Sequence, residues 1–115
     1  MPAAEALAQK FGIAKGQRVI VRRCPDDLHD DFKALGAAFD RGTIAEVTLS
    51  FVRGKADVDN ACKEALALTA PDGSLWMIYP TTEEIGWEPF ADHGWQSVAE
   101  VAVDETWSAL RFQPR

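Results

Sequence analysis

Cys24 is the first residue in the chain whose chemistry calls for an explanation. It ends a short apolar segment, and His29 follows five residues later. A thiol near an imidazole is the beginning of a nucleophilic pair, and a helix N-terminus would make that thiol more acidic. The acids around it, Asp26, Asp27, Asp30 and Asp31, act in the opposite direction, and no orienting group or nucleophile-elbow pattern accompanies it. Cys24 therefore reads as a strand-end cysteine. The four acids read as helix capping and dipole compensation, stabilising by roughly 0.3–1 kcal/mol per exposed acid. They also oppose phosphate, since two like unit charges about 6 Å apart repel by near 3 kcal/mol at an effective dielectric of about 20. Their spacing lacks the alternating ligands and glycine of a calcium loop. Cys24, His29, Cys62 and His93 match no common zinc spacing. No metal and no cofactor is expected.

A second set lies near the C-terminus. Asp104, Glu105, Thr106 and Trp107 separate two apolar segments, at the length of a hairpin loop. The structural reading is that Asp104 or Glu105 pairs with Arg53 or Arg22 while Trp107 covers the end of a sheet. The functional reading is a crevice for a small ligand. Its candidate residues are Cys24, Asp26, Arg53, Thr81, Asp104 and Trp107, all expected at the carboxyl ends of the strands, where open α/β sheets bind ligands. Trp87, Phe90 and Trp95 form a third set, the candidate surface for a protein partner or a second copy of the chain.

These residues need a scaffold. Pro2 to Phe11 has apolar residues at helical spacing and Gly12 to end the helix. Val19-Ile20-Val21 is the heart of a buried strand. A helix starts near Asp26 or Asp27 and closes at Gly36. Glu46 to Val52 alternates, with Val47, Leu49 and Phe51 on one side and Thr48 and Ser50 on the other, small enough to lie under a helix. Val58, Ala61, Cys62, Ala65 and Leu66 mark a third helix, stopped by Pro71-Asp72-Gly73. Leu75 to Tyr79 reads as a central strand. Thr81 to Gly94 is broken by Gly86 and Pro89, so any helix there is short. Val98–Val103 and Ser108–Phe112 form an antiparallel hairpin. Right-handed crossovers then give a small Rossmann-like three-layer α/β sandwich, about five strands, mostly parallel, with the hairpin at its C-terminal end.

The chain of 115 residues is expected to be a single domain, residues 1–115. A net charge of −6 argues against nucleic acid, which is held through Lys and Arg contacts to phosphate. No apolar run reaches the ~18 residues that cross a bilayer, and no secretory leader is read. Two cysteines make no disulfide framework and suit the cytoplasm.

Two resemblances follow. Phe11-Gly12-Ile13-Ala14-Lys15-Gly16-Gln17-Arg18-Val19, Val47 to Arg53, Pro71 to Trp76, Tyr79-Pro80 and Asp104 to Phe112 together resemble a family of small uncharacterised bacterial proteins, a domain of unknown function with an Asp-Glu-Thr-Trp-Ser signature. Where related chains carry a basic pair, Thr81-Thr82 stands here. That family implies a fold and no activity. More distantly, the element order resembles a class I S-adenosylmethionine-dependent methyltransferase that has lost its second and third strands, leaving the first strand at a sheet edge. Such enzymes place a glycine-rich turn after the first strand and an acid after the second; neither feature has an equivalent in this sequence, and no catalytic residue is carried over. These features favour a non-enzymatic interaction or ligand-sensing module, self-associating. The alternative is a small divergent methyltransferase-like enzyme that uses the strand-end crevice.

Overall fold

The structure is a computed structural model and describes residues 9, 11–13, 17–26, 38–39 and 45–114. Its strands are β1 (Val19–Arg22), β2 (Ala38–Phe39), β3 (Ala45–Phe51), β4 (Thr69–Pro80), β5 (Trp95–Ala102) and β6 (Trp107–Pro114). Helix α1 (Val58–Leu68) joins β3 to β4, and the short α2 (Glu88–Asp92) precedes β5. The sheet order is β2-β1-β3-β4-β6-β5. The first four strands in that order run parallel, and β6 pairs antiparallel with both β4 and β5. This is the expected α/β, Rossmann-like mixed sheet, with β2 as a two-residue addition to the five longer strands.

Alternation along the central strands divides the interior between the two faces of the sheet. Val47, Leu49 and Phe51 of β3 join Trp76 and Ile78 of β4 on one face, together with Phe11 from the N-terminal helical turn. Trp76 fixes that turn twice: its Nε1 donates to the Phe11 carbonyl (3.1 Å), and the two rings meet edge-on at 5.2 Å. On the opposite face Leu75 and Met77 meet Val58, Ala61, Cys62 and Ala65 of α1. The small residues of β3, Thr48 and Ser50, lie fully buried on the other side of the strand from Val47, Leu49 and Phe51. The Thr69 hydroxyl ties the end of α1 to the sheet. It donates to the Ala65 carbonyl (2.7 Å) and shares a hydrogen bond with the Thr48 hydroxyl (2.9 Å). Burial pushes the Cys62 thiol up to about 11, helped by the charges of Asp59 and Asp92, so it is a packing residue.

Three expectations need correcting. β1 is not a sheet edge, because Ile20 and Val21 pair in parallel with Ala38 and Phe39. A strand expected to be lost is thus kept in its shortest form, and the next residue in sequence is an acid, Asp40. Second, Pro71-Asp72-Gly73 does not stop the helix. α1 ends at Leu68 and β4 begins at once, with a register irregularity against β3 between the Ala45–Thr69 and Val47–Ser74 pairs. A bulged strand absorbs the proline because the ladder is already interrupted there. Third, Arg22 pairs with Glu64 rather than with the hairpin acids. The expected helix following Asp27, with Asp27, His29, Asp30 and Asp31, lies outside the described residues, as does most of the N-terminal helix. Among the described residues no helix is long and apolar enough to cross a membrane.

Candidate functional site

With β2 on one side of β1 and β3 and β4 on the other, the strand order reverses at β1. The crevice outside the carboxyl ends of β1 and β3 is therefore the topological switch point, where open α/β sheets take their ligands. A cavity of about 380 Å³ lies there, lined by Arg23, Cys24, Phe51, Arg53 and Asp57.

Each wall has a local cause. Arg23 directly follows β1 and adopts φ 61°, the left-handed conformation that costs a non-glycine residue about 1 kcal/mol or more. The turn thus has the backbone twist a glycine would supply, but carries a guanidinium instead. Cys24 is half-buried, and its thiol lies 3.5 Å from the Pro25 carbonyl, to which it donates. Phe51 ends β3 on the buried face and meets Trp107 edge-on at 5.2 Å. Arg53 follows β3, exposed, and its backbone N–H donates to Asp57 Oδ2 (3.0 Å). Asp57 closes the one-turn 3-10 helix Lys55–Asp57 that leads into α1; its carboxylate makes no cap bond to that helix because it is turned back to Arg53.

Behind the crevice, α1 contributes Glu64. Arg22 Nη2 donates to Glu64 Oε2 at 2.9 Å, and Arg23 Nε stands 3.7 Å from Glu64 Oε1. The hydrogen bond from Arg22 is the main cause holding the Glu64 carboxyl below its usual range, against the opposing effect of burial. Among the described residues, the crevice lining carries two guanidiniums against one carboxylate. Asp26 is exposed at the end of the turn and is not among the lining residues; Asp27, Asp30 and Asp31 lie outside the described residues.

Of the candidate residues, the structure brings Cys24 and Arg53 together in the cavity. The others stand on the same edge. Pro80 pairs with Trp107, and the Thr81 N–H donates to the Thr106 carbonyl (2.7 Å), so the hairpin tip does sit at the carboxyl ends of the parallel strands. Thr81 Oγ1 lies 2.9 Å from Ser108 Oγ. Asp104 Oδ1 accepts from the N–H groups of Thr106 and Trp107 (2.7 and 2.8 Å), an Asx turn that fixes the hairpin. Trp107 reaches the cavity only through Phe51. Arg23, Phe51 and Asp57 were not legible as site residues; the Arg22-Arg23 pair and an acid just before a helix were their only traces in the sequence. Elsewhere, Phe90 is wholly buried and stacked on Phe112 at 4.2 Å, while Trp87 and Trp95 are half-buried.

The sheet order, the parallel start and the C-terminal hairpin define an α/β fold of the class I S-adenosylmethionine-dependent methyltransferase kind. Solved structures bear this out. The ribosomal protein L11 methylase of Lactobacillus delbrueckii subsp. bulgaricus is similar with a TM-score of 0.60 at 10% identity, over 97% of this chain and 77% of that one. The tRNA methyltransferase TrmK of B. subtilis gives 0.61 at 10% identity, over 97% and 65%. A functionally unknown protein from Deinococcus radiodurans gives 0.57 at 12% identity, over 100% and 89%. At such identities the likeness shows the fold alone. This chain spans just under two thirds of TrmK and 38% of a Haemonchus contortus phosphoethanolamine N-methyltransferase. No family model matches the sequence, and no curated protein matches it.

Such a fold implies S-adenosylmethionine, and the crevice can be tested for it. Its volume lies within the range of about 300–1,000 Å³ typical of small-molecule sites. Arg23 and Arg53 can hold a carboxylate, Phe51 offers an aromatic wall, and the left-handed Arg23 keeps the turn's shape. The residues present fit the ligand in size and at its carboxylate end.

Proposed function

We propose that this protein is a small divergent methyltransferase-like protein that binds S-adenosylmethionine, or its demethylated product, in the switch-point crevice. The observation that carries the reading is the coincidence of that cavity with the point where the strand order reverses between β2-β1 and β3. Arg23 and Arg53 would hold the methionine carboxylate, and Phe51 would wall the cavity beside it. By the resemblance, the acid next after β2 in sequence, Asp40, is the candidate for the ribose hydroxyls. When bound, S-adenosylmethionine supplies an electrophilic methyl group. This chain's own part is to bind and orient: Asp57 is the lining carboxylate able to accept a proton, though it already accepts the Arg53 N–H.

With the ligand bound, Arg23 and Arg53 are balanced in charge by Asp57 and the ligand's own carboxylate, so S-adenosylmethionine and its demethylated product, S-adenosylhomocysteine, are expected to bind with similar affinity. Isothermal titration with both ligands tests the reading. Saturable binding, weakened by Arg53→Ala and by Asp40→Asn, supports it; a flat titration with both ligands into the millimolar range sinks it.

A second reading has its own support. Among the described residues lining the crevice, the thiol of Cys24 is directed at a carbonyl and Asp57 is engaged, so none is arranged as a nucleophile or free base. This favours a non-enzymatic sensing module in which the ligand is bound without turnover. Binding with no methyl transfer to any offered acceptor distinguishes it from the first.

A further inference from the structure

The flank of the sheet where α2 packs beside β5 and β6 holds a second cavity of about 340 Å³. Its lining includes Trp87, Trp95 and Phe112, with Glu88, Gln96 and Ser97. Its aromatic walls are set in advance. The Trp87 indole touches three rings: Tyr79 edge-on at 5.5 Å, Phe112 at 5.5 Å and Phe90 at 6.1 Å. Phe112 is in turn stacked on Phe90, and the Tyr79 hydroxyl is hydrogen-bonded to Glu100. A wall already immobilised costs a ligand little ordering on binding. Trp95 opens β5 straight after Gly94, whose φ of 79° turns the chain out of α2. Among the described residues it makes no ring contact with Trp87, and both indoles line the cavity.

Among the described residues, the single charge in the lining is the carboxylate of Glu88, and no cationic side chain lines the cavity. That carboxylate is seated against the backbone of Gly86, where a Cβ would collide with Glu88 Oε2. The position of the charge thus depends on a glycine two residues upstream. Glu88 repels an anion, and a neutral apolar ligand leaves it unused. A hard metal ion needs several oxygen ligands where the cavity offers one carboxylate. A diffuse organic cation matches both parts, because indole faces attract it electrostatically and a carboxylate balances its charge.

We propose that this pocket binds an organic ammonium cation, a methylated amine, against Trp87 and Trp95 with Glu88 as counter-ion. The site is separate from the switch-point crevice and stands or falls independently of it. The test is a titration of the ¹⁵N-labelled protein with tetramethylammonium and with choline, followed at the Trp87 and Trp95 indole N–H signals. Saturable shifts of those two signals are expected. The neutral isostere 3,3-dimethylbutan-1-ol should bind at least about ten-fold more weakly. Glu88→Gln should weaken choline about five- to ten-fold, and Gly86→Ala should weaken it too, by displacing the carboxylate without removing it. Both substitutions are at solvent-accessible positions, and a retained amide spectrum shows the fold intact; Trp95→Ala gives a further check on the aromatic wall. Vesicles of phosphatidylcholine identify the source of the amine: co-sedimentation abolished by Glu88→Gln assigns a lipid head group, and choline binding without co-sedimentation assigns a free amine. Equal affinity for the neutral isostere, choline binding unchanged in Glu88→Gln, or no saturation up to about 50 mM overturns the proposal.

Discussion

Two cavities of nearly equal size, about 380 and about 340 Å³, lie on this small sheet and are built by opposite means. The switch-point crevice is a product of topology. It exists because parallel strands end together where their order reverses, and its lining is whatever follows them: Arg23, Cys24, Arg53, Asp57. The aromatic pocket is a product of packing. Its walls are the core ring Phe112 and the half-buried Trp87 packed against it, beside a helix of five residues. Position in the fold therefore points to the first as a ligand site, whereas side-chain chemistry points to the second. Among the described residues their charges differ too: two guanidiniums and one carboxylate line the crevice, and one carboxylate lines the pocket with the indoles.

Substitutions can break that comparison, and the largest effect falls on the packing-built side. Phe112→Ala removes a ring shared by the Phe90 stack and the pocket. It should cost about 3–5 kcal/mol in chemical denaturation, whereas Arg23→Gly in the crevice, which relieves a left-handed arginine, should change stability by less than about 1 kcal/mol. If Phe112→Ala is as mild, the pocket is not a continuation of the core. Ligand binding gives the next contrast. Arg53→Ala should weaken S-adenosylhomocysteine about ten-fold, as expected for a lost charge-assisted hydrogen bond, and leave choline untouched; Glu88→Gln should do the reverse. Calorimetry on both variants checks this, and parallel losses in either variant would mean that the two sites are coupled.

A smaller effect concerns the ion pair behind the crevice. The hydrogen bond from Arg22 holds the Glu64 carboxyl below its ordinary range. A lowered folded-state value adds stability above the unfolded value, and that stability fades as pH falls through the folded one. Wild type should thus exceed Glu64→Gln by about 0.5–1 kcal/mol near pH 7, after allowing for partial exposure of the pair, with the gap closing below about pH 4. Thermal melts across that range provide the check; a gap that persists at pH 3 contradicts the assigned cause. The smallest effect belongs to Ser50, whose buried Oγ has no hydrogen-bond partner among the described residues. Ser50→Ala should be neutral or stabilising by up to about 1 kcal/mol, and a clear loss on denaturation would mean the hydroxyl is satisfied in solution.

The sequence disclosed the parts of the fold set by local pattern. Alternation at Val47 to Phe51 placed three large side chains on one face and Thr48 and Ser50 under α1, and the hairpin tip arrived at the expected edge. It did not disclose features set by tertiary pairing. Two residues, Ala38 and Phe39, are too few to show a strand period, so only their pairing with β1 reveals that β1 is covered. Pro71-Asp72-Gly73 reads as a turn in isolation and is drawn into β4 by the ladder around it. The crevice was located through topology, but two of its charged lining residues were not. The acids of residues 26–31 are conspicuous in the sequence, whereas Arg23 and Asp57 become lining residues only through a left-handed turn and a backbone hydrogen bond.

The central claim is that the switch-point crevice, and not the aromatic pocket, receives the adenosine ligand. Amide chemical-shift mapping with S-adenosylhomocysteine tests it most directly. The predicted result is saturable shifts at Cys24, Arg53 and Asp57 while the indole signals of Trp87 and Trp95 stay still. Shifts confined to Trp87 and Trp95, or no shifts at millimolar ligand, would contradict it.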